Sequence, residues 1–334
     1  MAKFSIILPV RNGGHYVKEC VAGILAQSLQ NFHLHVLDNC STDGTLEWLG
    51  TLDDSRILLY PAAEPLSIVD NWKRIVGIPK NEFATLIGHD DILDPNYLSV
   101  MDDLIQRHPQ ASLYQTHFRY IDAKGATLRR CKPMDEVQSS SEFLSFFLDG
   151  LIDTMGTGFM MRSADYDAIG GIPAYPNLLF ADFELWIKLT LRSYKATARE
   201  ECFAFRLHQS TTTTSPDIKM QYAFGQFIAY LEELKSSDSL MDEAIRRYAV
   251  KFIQFYCKAL SHRLLRTSLS RREGLTMTEF VSKCKGYADS LVPGNDFQPY
   301  RLFSMRLAKF IDSNALSRAL FLTFKKIYPT PIYT

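Results

Sequence analysis

Acidic and amide side chains gather directly behind two apolar runs of this chain: Asp38-Asn39 behind Phe32–Leu37, and His89-Asp90-Asp91 behind Phe83–Ile87. Two neighbouring carboxylates suit a hard divalent cation, which prefers oxygen ligands and can bridge to a diphosphate. Asp38 and Asn39 could instead hydrogen-bond a base or a ribose. Each position also has a plainer use. Asp38 can close an Asx-type turn, Asp43 before Gly44 can cap the helix through Trp48, and Asp182 can cap the helix through Trp186. Adjacent carboxylates repel, so a purely structural Asp90-Asp91 pair is the hardest of these to justify.

The elements that must position these groups alternate in α/β order. Strands are predicted over Phe4–Val10, Phe32–Leu37, Arg56–Tyr60, Phe83–Ile87 and Ser112–Phe118, with helices over Tyr16–Gln27, Val69–Ile75 and Pro95–His108. That alternation implies a parallel sheet with crossover helices, whose ligands bind beyond the carboxyl ends of the strands. Arg11–Gly14, Asp38–Gly44, Pro61–Leu66 and His89–Asp91 are therefore the segments to read for function. Further on come a hairpin over Tyr120–Arg130, a helix over Ser140–Gly150 and the small-residue stretch Met155–Gly158 before a strand at Phe159–Met161. Helices follow over Ala164–Ile169, ended by Gly170-Gly171, and over Asp182–Arg192. The hydroxyl-rich loop Ser210–Ser215 is the predicted domain boundary. Beyond it the pattern is helical throughout: Met220–Leu234, Leu240–Leu265, Thr276–Leu291 and Tyr300–Ile327.

Several chemistries are excluded. No G-x-G-x-x-G follows the first strand and no G-x-x-x-x-G-K-[ST] occurs, so the phosphate-cradling glycines of dinucleotide enzymes and P-loop NTPases are missing. No G-x-S-x-G elbow or calcium loop is present. The six cysteines are dispersed without a C-x-x-C pair, which reads as reduced, mostly buried thiols in a cytoplasmic chain. Phe4–Val10, ended by Arg11, is too short for a secretory or membrane-spanning segment, and Asn39-Cys40-Ser41 is then a chance sequon. Lys+Arg and Asp+Glu number 37 each, which argues against a dedicated nucleic-acid binder. The charge is uneven: 19 basic against 26 acidic residues up to position 215, and 18 against 11 after it, suggesting two jobs.

The opening Ser5-Ile-Ile-Leu-Pro-Val-Arg-Asn12 and the later Leu37-Asp-Asn-Cys-Ser-Thr-Asp-Gly-Thr45 resemble the start of family-2 glycosyltransferases, which usually reads close to VSVIIPVYN…VVDDGSTDGT. The resemblance runs on through Asp70-Asn71-Trp72-Lys73 and through Leu86-Ile-Gly-His-Asp-Asp-Ile-Leu-Asp-Pro95, which is similar to the family's metal-binding D-x-D segment. It extends to Gly156–Met161, to Phe180-Ala-Asp-Phe-Glu-Leu-Trp186, where many members read G-E-D-Y-D-L-W, and to Phe205-Arg-Leu-His208, similar to an R-x-H segment.

What the resemblance implies is a GT-A fold, Rossmann-like with a mainly parallel sheet, over residues 1–215, split into a nucleotide-sugar part (1–120) and an acceptor part (121–215). A helical appendage would fill 216–334. It implies a nucleoside-diphosphate sugar donor, with UDP or dTDP expected, a divalent ion (Mg²⁺ or Mn²⁺), and transfer with inversion to a glycan or lipid-linked acceptor in bacterial surface polysaccharide synthesis. Position by position, Pro9, Arg11 and Asn12 would line the nucleotide entrance and Asp38 would contact the base, with Asn39, Asn71, Lys73 and His89 also on the donor side. Asp90, with Asp91 beside it, would hold the metal. Asp182 would be the catalytic base, Arg206 and His208 would close over the diphosphate, and Gly158, Glu184 and Trp186 would lie on the acceptor side. Three departures stand out. Gly88 replaces the first Asp of the D-x-D, Asn39 replaces a second Asp, and Ala181 replaces the Glu before the base. Glu184 cannot stand in for Asp182, because residues two apart leave a helix on different faces.

Two alternatives stay open. Gly88 and Ala181 would also suit a catalytically silent module that binds sugar nucleotide or glycan on the same scaffold; a nucleotidyltransferase is weaker, for want of a basic, glycine-rich loop after the first strand. In the appendage, the apolar residues of Tyr300–Ile327 recur at helical spacing among Arg301, Arg306, Lys309, Arg318, Lys325 and Lys326. That stripe either packs on the catalytic domain or a second subunit, or lies peripherally on the inner face of the cell membrane.

Overall fold

The computed structural model describes residues 2–208 and 217–328. The chain forms two compact units, one of Met1–Phe143, Ile152–Ala174 and Ala181–Leu207, the other of Leu144–Leu151, Tyr175–Phe180 and His208–Thr334. The predicted boundary loop, Ser210–Ser215, lies outside the described residues.

The first unit is organised by a ten-stranded sheet. At its heart is β1 (Phe4–Val10), all seven residues buried, paired in parallel with β2 (Phe32–Asp38) and β4 (Phe83–Leu86). The short β3 (Ile57–Leu59) extends the parallel part beyond β2. On the other side β9 (Phe159–Arg162) runs antiparallel to both β4 and β6 (Leu113–Ile121). β10 (Tyr194–Arg206) is parallel to β6, and the two-residue β5 (Ile92–Leu93) is antiparallel to β10. Two further pieces, β7 (Thr127–Arg130) and β8 (Val137–Ser139), pair with β6 and β10. The sheet is thus mixed, not wholly parallel as the alternation alone suggests. The early strands fall where the sequence places them, whereas β5, β8 and the thirteen-residue β10 were not foreseen.

Strand direction fixes where chemistry can happen. β9 opposes both β4 and β6, so β6 and β10 run with β1, β2 and β4. The exits of all five, and the entrance to β9, therefore share one edge of the sheet. Helices cover the faces: α1 (Tyr16–Leu25) buries Val17, Cys20, Val21 and Ile24 as one stripe, and α4 (Tyr97–Arg107) buries Tyr97, Leu98, Met101, Leu104 and Ile105. Shorter helices α2 (Thr45–Gly50) and α3 (Ile68–Lys73) follow β2 and β3, α5 (Ser140–Asp149) and α6 (Ser163–Ala168) precede and follow β9 in the chain, and α7 (Ala181–Thr190) precedes β10.

The second unit is helical, with no strand among its described residues: α8 (Lys219–Ser237), α9 (Ser239–Arg266), α10 (Met277–Leu291), α11 (Phe303–Ser313) and α12 (Ala315–Ile327). Its core is aromatic, Phe224, Phe227, Phe252 and Tyr256 packing edge and face with Phe147 and Phe180. The predicted single helix over Tyr300–Ile327 is in fact two. Asn314 leaves helical conformation and its Oδ1 accepts from the N–H groups of Leu316 and Ser317, starting a new helix.

Candidate active site

The loops behind β1 and β2 are locked to one another. Asn12, at φ +54°, accepts at Oδ1 from the Thr42 N–H at 2.8 Å, the Gly13 N–H donates to Thr45 Oγ1 at 3.1 Å, and the Gly14 N–H donates to Asp43 Oδ2 at 2.9 Å. Asp43 also accepts from the N–H of Thr45, the first residue of α2, although the N-cap position itself is Gly44, which has no side-chain cap. Pro9 is buried within β1, and Arg11 stands exposed at its exit.

Asp38, the last residue of β2, is 1% exposed. Its Oδ2 accepts from the Ser41 N–H at 3.1 Å, the expected Asx-type turn, yet Oδ1 is buried without a hydrogen-bond partner among the described residues. A buried carboxylate oxygen left open in this way carries a desolvation cost that a ligand donor would remove. Its neighbours are already committed. Asn39 uses both ends of its amide on the backbone of Leu66, at 2.7 and 2.9 Å, and Asn71 donates to Leu37 O and accepts from Arg74. Those two expected donor contacts therefore brace the β2 exit instead. Arg74, to which the sequence pattern gives no role, ties α3 to the carbonyls of Asp38 and Tyr60. Lys73 is exposed at the end of α3.

Beyond β4 the chain turns at Gly88. A Cβ there would lie 2.7 Å from Asp90 Oδ1 and 2.9 Å from Asp91 Oδ2, so both carboxylates close on the space that glycine leaves empty. Their environments differ. Asp91 is 2% exposed, and both its oxygens are engaged: Oδ2 accepts from Thr157 Oγ1 at 2.6 Å and Oδ1 from the Arg206 N–H at 3.0 Å. Burial, then the charge of Asp90, pushes its pKa well above the usual carboxylate range, and the donors from Thr157 and Arg206 offset this only in part. Asp90 and His89 are half-buried.

Arg206 has a different job from the expected one. Its guanidinium is buried and donates to Asp90 O at 2.7 Å, to the carbonyls of Asp122 and Ala123 at 3.3 Å each, and to Glu19 Oε2 at 2.6 Å, while stacking over Tyr16. A cation so committed clasps the 88–91 turn from beneath and is not spare to cover a diphosphate. His208 groups with the second unit.

Asp182 stands in the first turn of α7, and α7 must run away from the shared edge, because β10, which follows it, starts at the opposite edge and returns to the shared one at Arg206. The carboxyl accepts from its own N–H and that of Phe183, which pulls its pKa down, but burial outweighs this and lifts the pKa to about 7. One group thus combines hydrogen bonds to the first turn of α7 with a pKa near neutrality. Met155–Gly158 supplies the link to the other carboxylates. A Cβ on Gly156 would sit 3.8 Å from Asp182 Oδ2, and the next residue, Thr157, bonds Asp91. The remaining acceptor-side expectations turn out to be supports of this loop or its helix. Trp186 is fully buried, donates from Nε1 to Met155 O at 2.9 Å and stacks on Phe159. Gly158 donates to Leu86 O at 2.9 Å, and Glu184, buried, pairs with Lys188 at 2.5 Å.

Among the described residues no cluster of three or more His, Cys, Asp or Glu is placed to hold a metal ion. The cradle above Gly88 nonetheless offers hard carboxylate oxygen. That donor type fits a divalent cation, which Asp90 would hold. Thr157 lies within the Gly156–Met161 segment of the resemblance, but the sequence gives its hydroxyl no role of its own; only the fold pairs it with Asp91.

The model of Glycosyl transferase family 2 matches residues 5–170. An uncharacterized glycosyltransferase of Rickettsia typhi is 24% identical over 243 residues, 71% of this chain and 74% of that protein. A Bacillus subtilis glycosyltransferase, TuaG, whose name assigns it provisionally to teichuronic acid biosynthesis, is 23% identical over 63% of this chain and 81% of its own length. Among solved structures, residues 1–349 of S. aureus TarS in complex with UDP-GlcNAc share the fold at a TM-score of 0.66 and 13% identity, covering 97% of this chain and 92% of that one.

Proposed function

Residues 5–170 make this chain a member of glycosyl transferase family 2, and from that premise we propose that it moves a sugar from a nucleoside diphosphate, UDP or dTDP, to a hydroxyl of a glycan or lipid-linked acceptor, with inversion, in cell-surface polysaccharide synthesis. The name of TuaG and the UDP-GlcNAc bound to TarS support the substrate classes. The observation that carries the mechanism is the Gly156-Thr157 step, which sets the base candidate Asp182 and the Asp90-Asp91 turn against consecutive residues of one loop.

A sugar hydroxyl is a poor nucleophile at neutral pH, so a carboxylate in reach must take its proton as the new bond forms. Asp182, lifted to about 7 by burial, has the basicity for this and keeps enough of its ionised form at neutral pH. The open Oδ1 of Asp38 receives a donor from the base of the nucleotide. Asp90 would hold the divalent cation, which when bound would supply charge neutralisation for the departing diphosphate. Asp91, Thr157 and Arg206 keep the turn in place. One base and one displacement give inversion; the paired carboxylates of glycosidases are not needed.

The test is a thermal-shift panel of UDP-, dTDP- and GDP-sugars with Mn²⁺, followed by transfer and donor-hydrolysis assays on the ligand that raises the melting point. Asp90→Ala is expected to abolish Mn²⁺-dependent binding of the nucleoside diphosphate in calorimetry; unaltered affinity refutes the Asp90 assignment. Tight nucleotide binding without transfer or hydrolysis on any acceptor would favour the silent binding module.

A further inference from the structure

The last two helices of the second unit turn their apolar residues outward. On α11, Phe303, Leu307 and Phe310 recur at i, i+4 and i+7 and are 71%, 45% and 58% exposed, while Met305 and Ala308 are buried. On α12, Leu316, Leu320, Phe324 and Ile327 are 53–71% exposed, and the helix is anchored from another side by Arg318, which donates to Thr267 O at 2.9 Å. Scattered exposed apolar residues are ordinary; two successive helices with whole stripes in the open are not.

Charge identifies what covers them. Residues 302–328 contain a single acid, Asp312. It faces inward, accepting at 2.6 Å from Arg272 and at 2.8 Å from the Met277 N–H, with its side chain 7% exposed. The cations Arg306, Lys309, Lys325 and Lys326 flank the stripes, so the segment is strongly basic. Beside α11 a cavity of about 620 Å³ adds Lys285 and Arg301 to Arg306, over a floor of Phe297, Pro299 and Tyr300; Arg301 is shared with Asp296 at 2.8 Å. A second copy on this face would set its cations against the same cations with no acid of the segment between them. An apolar body beneath an anionic layer satisfies both features. No described helix is long and apolar enough to cross a membrane, so these must lie in its plane.

We propose that α11 and α12 dock this protein on a bilayer containing anionic lipid, the apolar stripes sinking below the headgroups and the Lys285–Arg301–Arg306 cavity receiving a headgroup phosphate. The full chain is floated with vesicles of phosphatidylcholine alone or with about 30 mol% phosphatidylglycerol, at about 0.1 M and about 0.5 M salt. It is expected to float with the anionic vesicles at least about tenfold better than with the neutral ones, and less well at high salt. Phe310→Ser/Phe324→Ser and Lys309→Glu/Lys326→Glu are each expected to abolish flotation while melting as the parent does, since all four residues are exposed. Asp182→Asn is expected to float like the parent, which separates this docking from the transfer reading. Absence of flotation, flotation indifferent to both double variants, or a dimer that Phe310→Ser/Phe324→Ser dissolves without any vesicle binding overturns the proposal.

Discussion

Replacing Asp182 by Asn should have opposite effects on activity and on stability, and both follow from one number. Burial lifts the carboxyl to about 7 against an ordinary 3.8. If its ionised form takes the acceptor proton, only about 1% of the protein is competent at pH 5, so kcat/KM of the wild type should climb about tenfold per pH unit from 5 towards 7 and then level. A carboxyl of ordinary acidity would give a flat profile over that range. Asp182→Asn should lower transfer by about 10²–10⁴-fold at pH 8, the usual contribution of a general base, while the thermal shift given by donor is kept. Stability runs the other way. Because the folded pKa is raised, the folded state holds a proton that the unfolded state has lost between pH 3.8 and about 7. Wild-type stability therefore falls as pH rises through that window, by about 1.4 kcal/mol for each pH unit. Asn cannot ionise, so the variant should gain about 2–4 kcal/mol relative to wild type at pH 8 and about nothing near pH 3, read from urea melts at both pH values. A flat wild-type profile between pH 5 and 8, or a variant that transfers normally, would refute the assignment of the base. A variant no more stable at pH 8 would refute the burial argument beneath it.

Gly158 and Gly156 should respond very differently to Ala. At Gly158, φ is +79° and a Cβ would meet Phe203 ring carbons at 2.7 Å, so a loss of at least about 2 kcal/mol is expected in denaturant melts. At Gly156 the nearest atoms are those of Asp182 at 3.8 Å, so stability should change by less than about 1 kcal/mol while the pH midpoint of transfer moves upward as the new methyl dries the carboxyl. Thr157→Val removes the hydroxyl that donates to the buried Asp91 and should cost about 1–3 kcal/mol, with a raised donor KM, measured by melts and initial rates. Lys195 is fully buried on Gln138 and Thr197, and burial lowers its pKa to about 7. Between there and 10.5 the unfolded state binds the extra proton, so wild-type stability rises with pH across that window. Lys195→Met should then stabilise by about 1–3 kcal/mol near pH 6, a gain that shrinks towards pH 10 in thermal melts.

Much of the fold was legible because β1, β2 and β4 are buried on both faces and so read as continuous apolar runs. β10 was not. Its sequence, YKATAREECFAFR, buries alanines and one lysine, carries Arg199, Glu200 and Glu201 in its middle, and shifts register there against β6. A strand that fills its place with small residues and a bulge gives no hydrophobic period to detect. The break at Asn314 was hidden for the opposite reason. The apolar spacing continues almost unbroken across it, and only the cap geometry shows that one helix has ended.

The site divides along the same physical line. The residues proposed to face a ligand, Asp38, Asp90 and Asp182, could be picked out through the family resemblance, since taken singly Asp38 and Asp182 have ordinary turn and helix-start uses. Residues that hold them could not, because their roles depend on long-range partners. Arg206 looks identical in sequence whether it covers a diphosphate or, as here, spends its guanidinium on residues 19, 90, 122 and 123. Thr157 is an anonymous hydroxyl until β9 enters antiparallel to β4 and sets it against Asp91. The antiparallel β9 is therefore more than a departure from a parallel sheet. A parallel strand at that position would end, not begin, at the shared edge, and the loop that now joins the Asp91 turn to Asp182 would lie at the far side of the sheet.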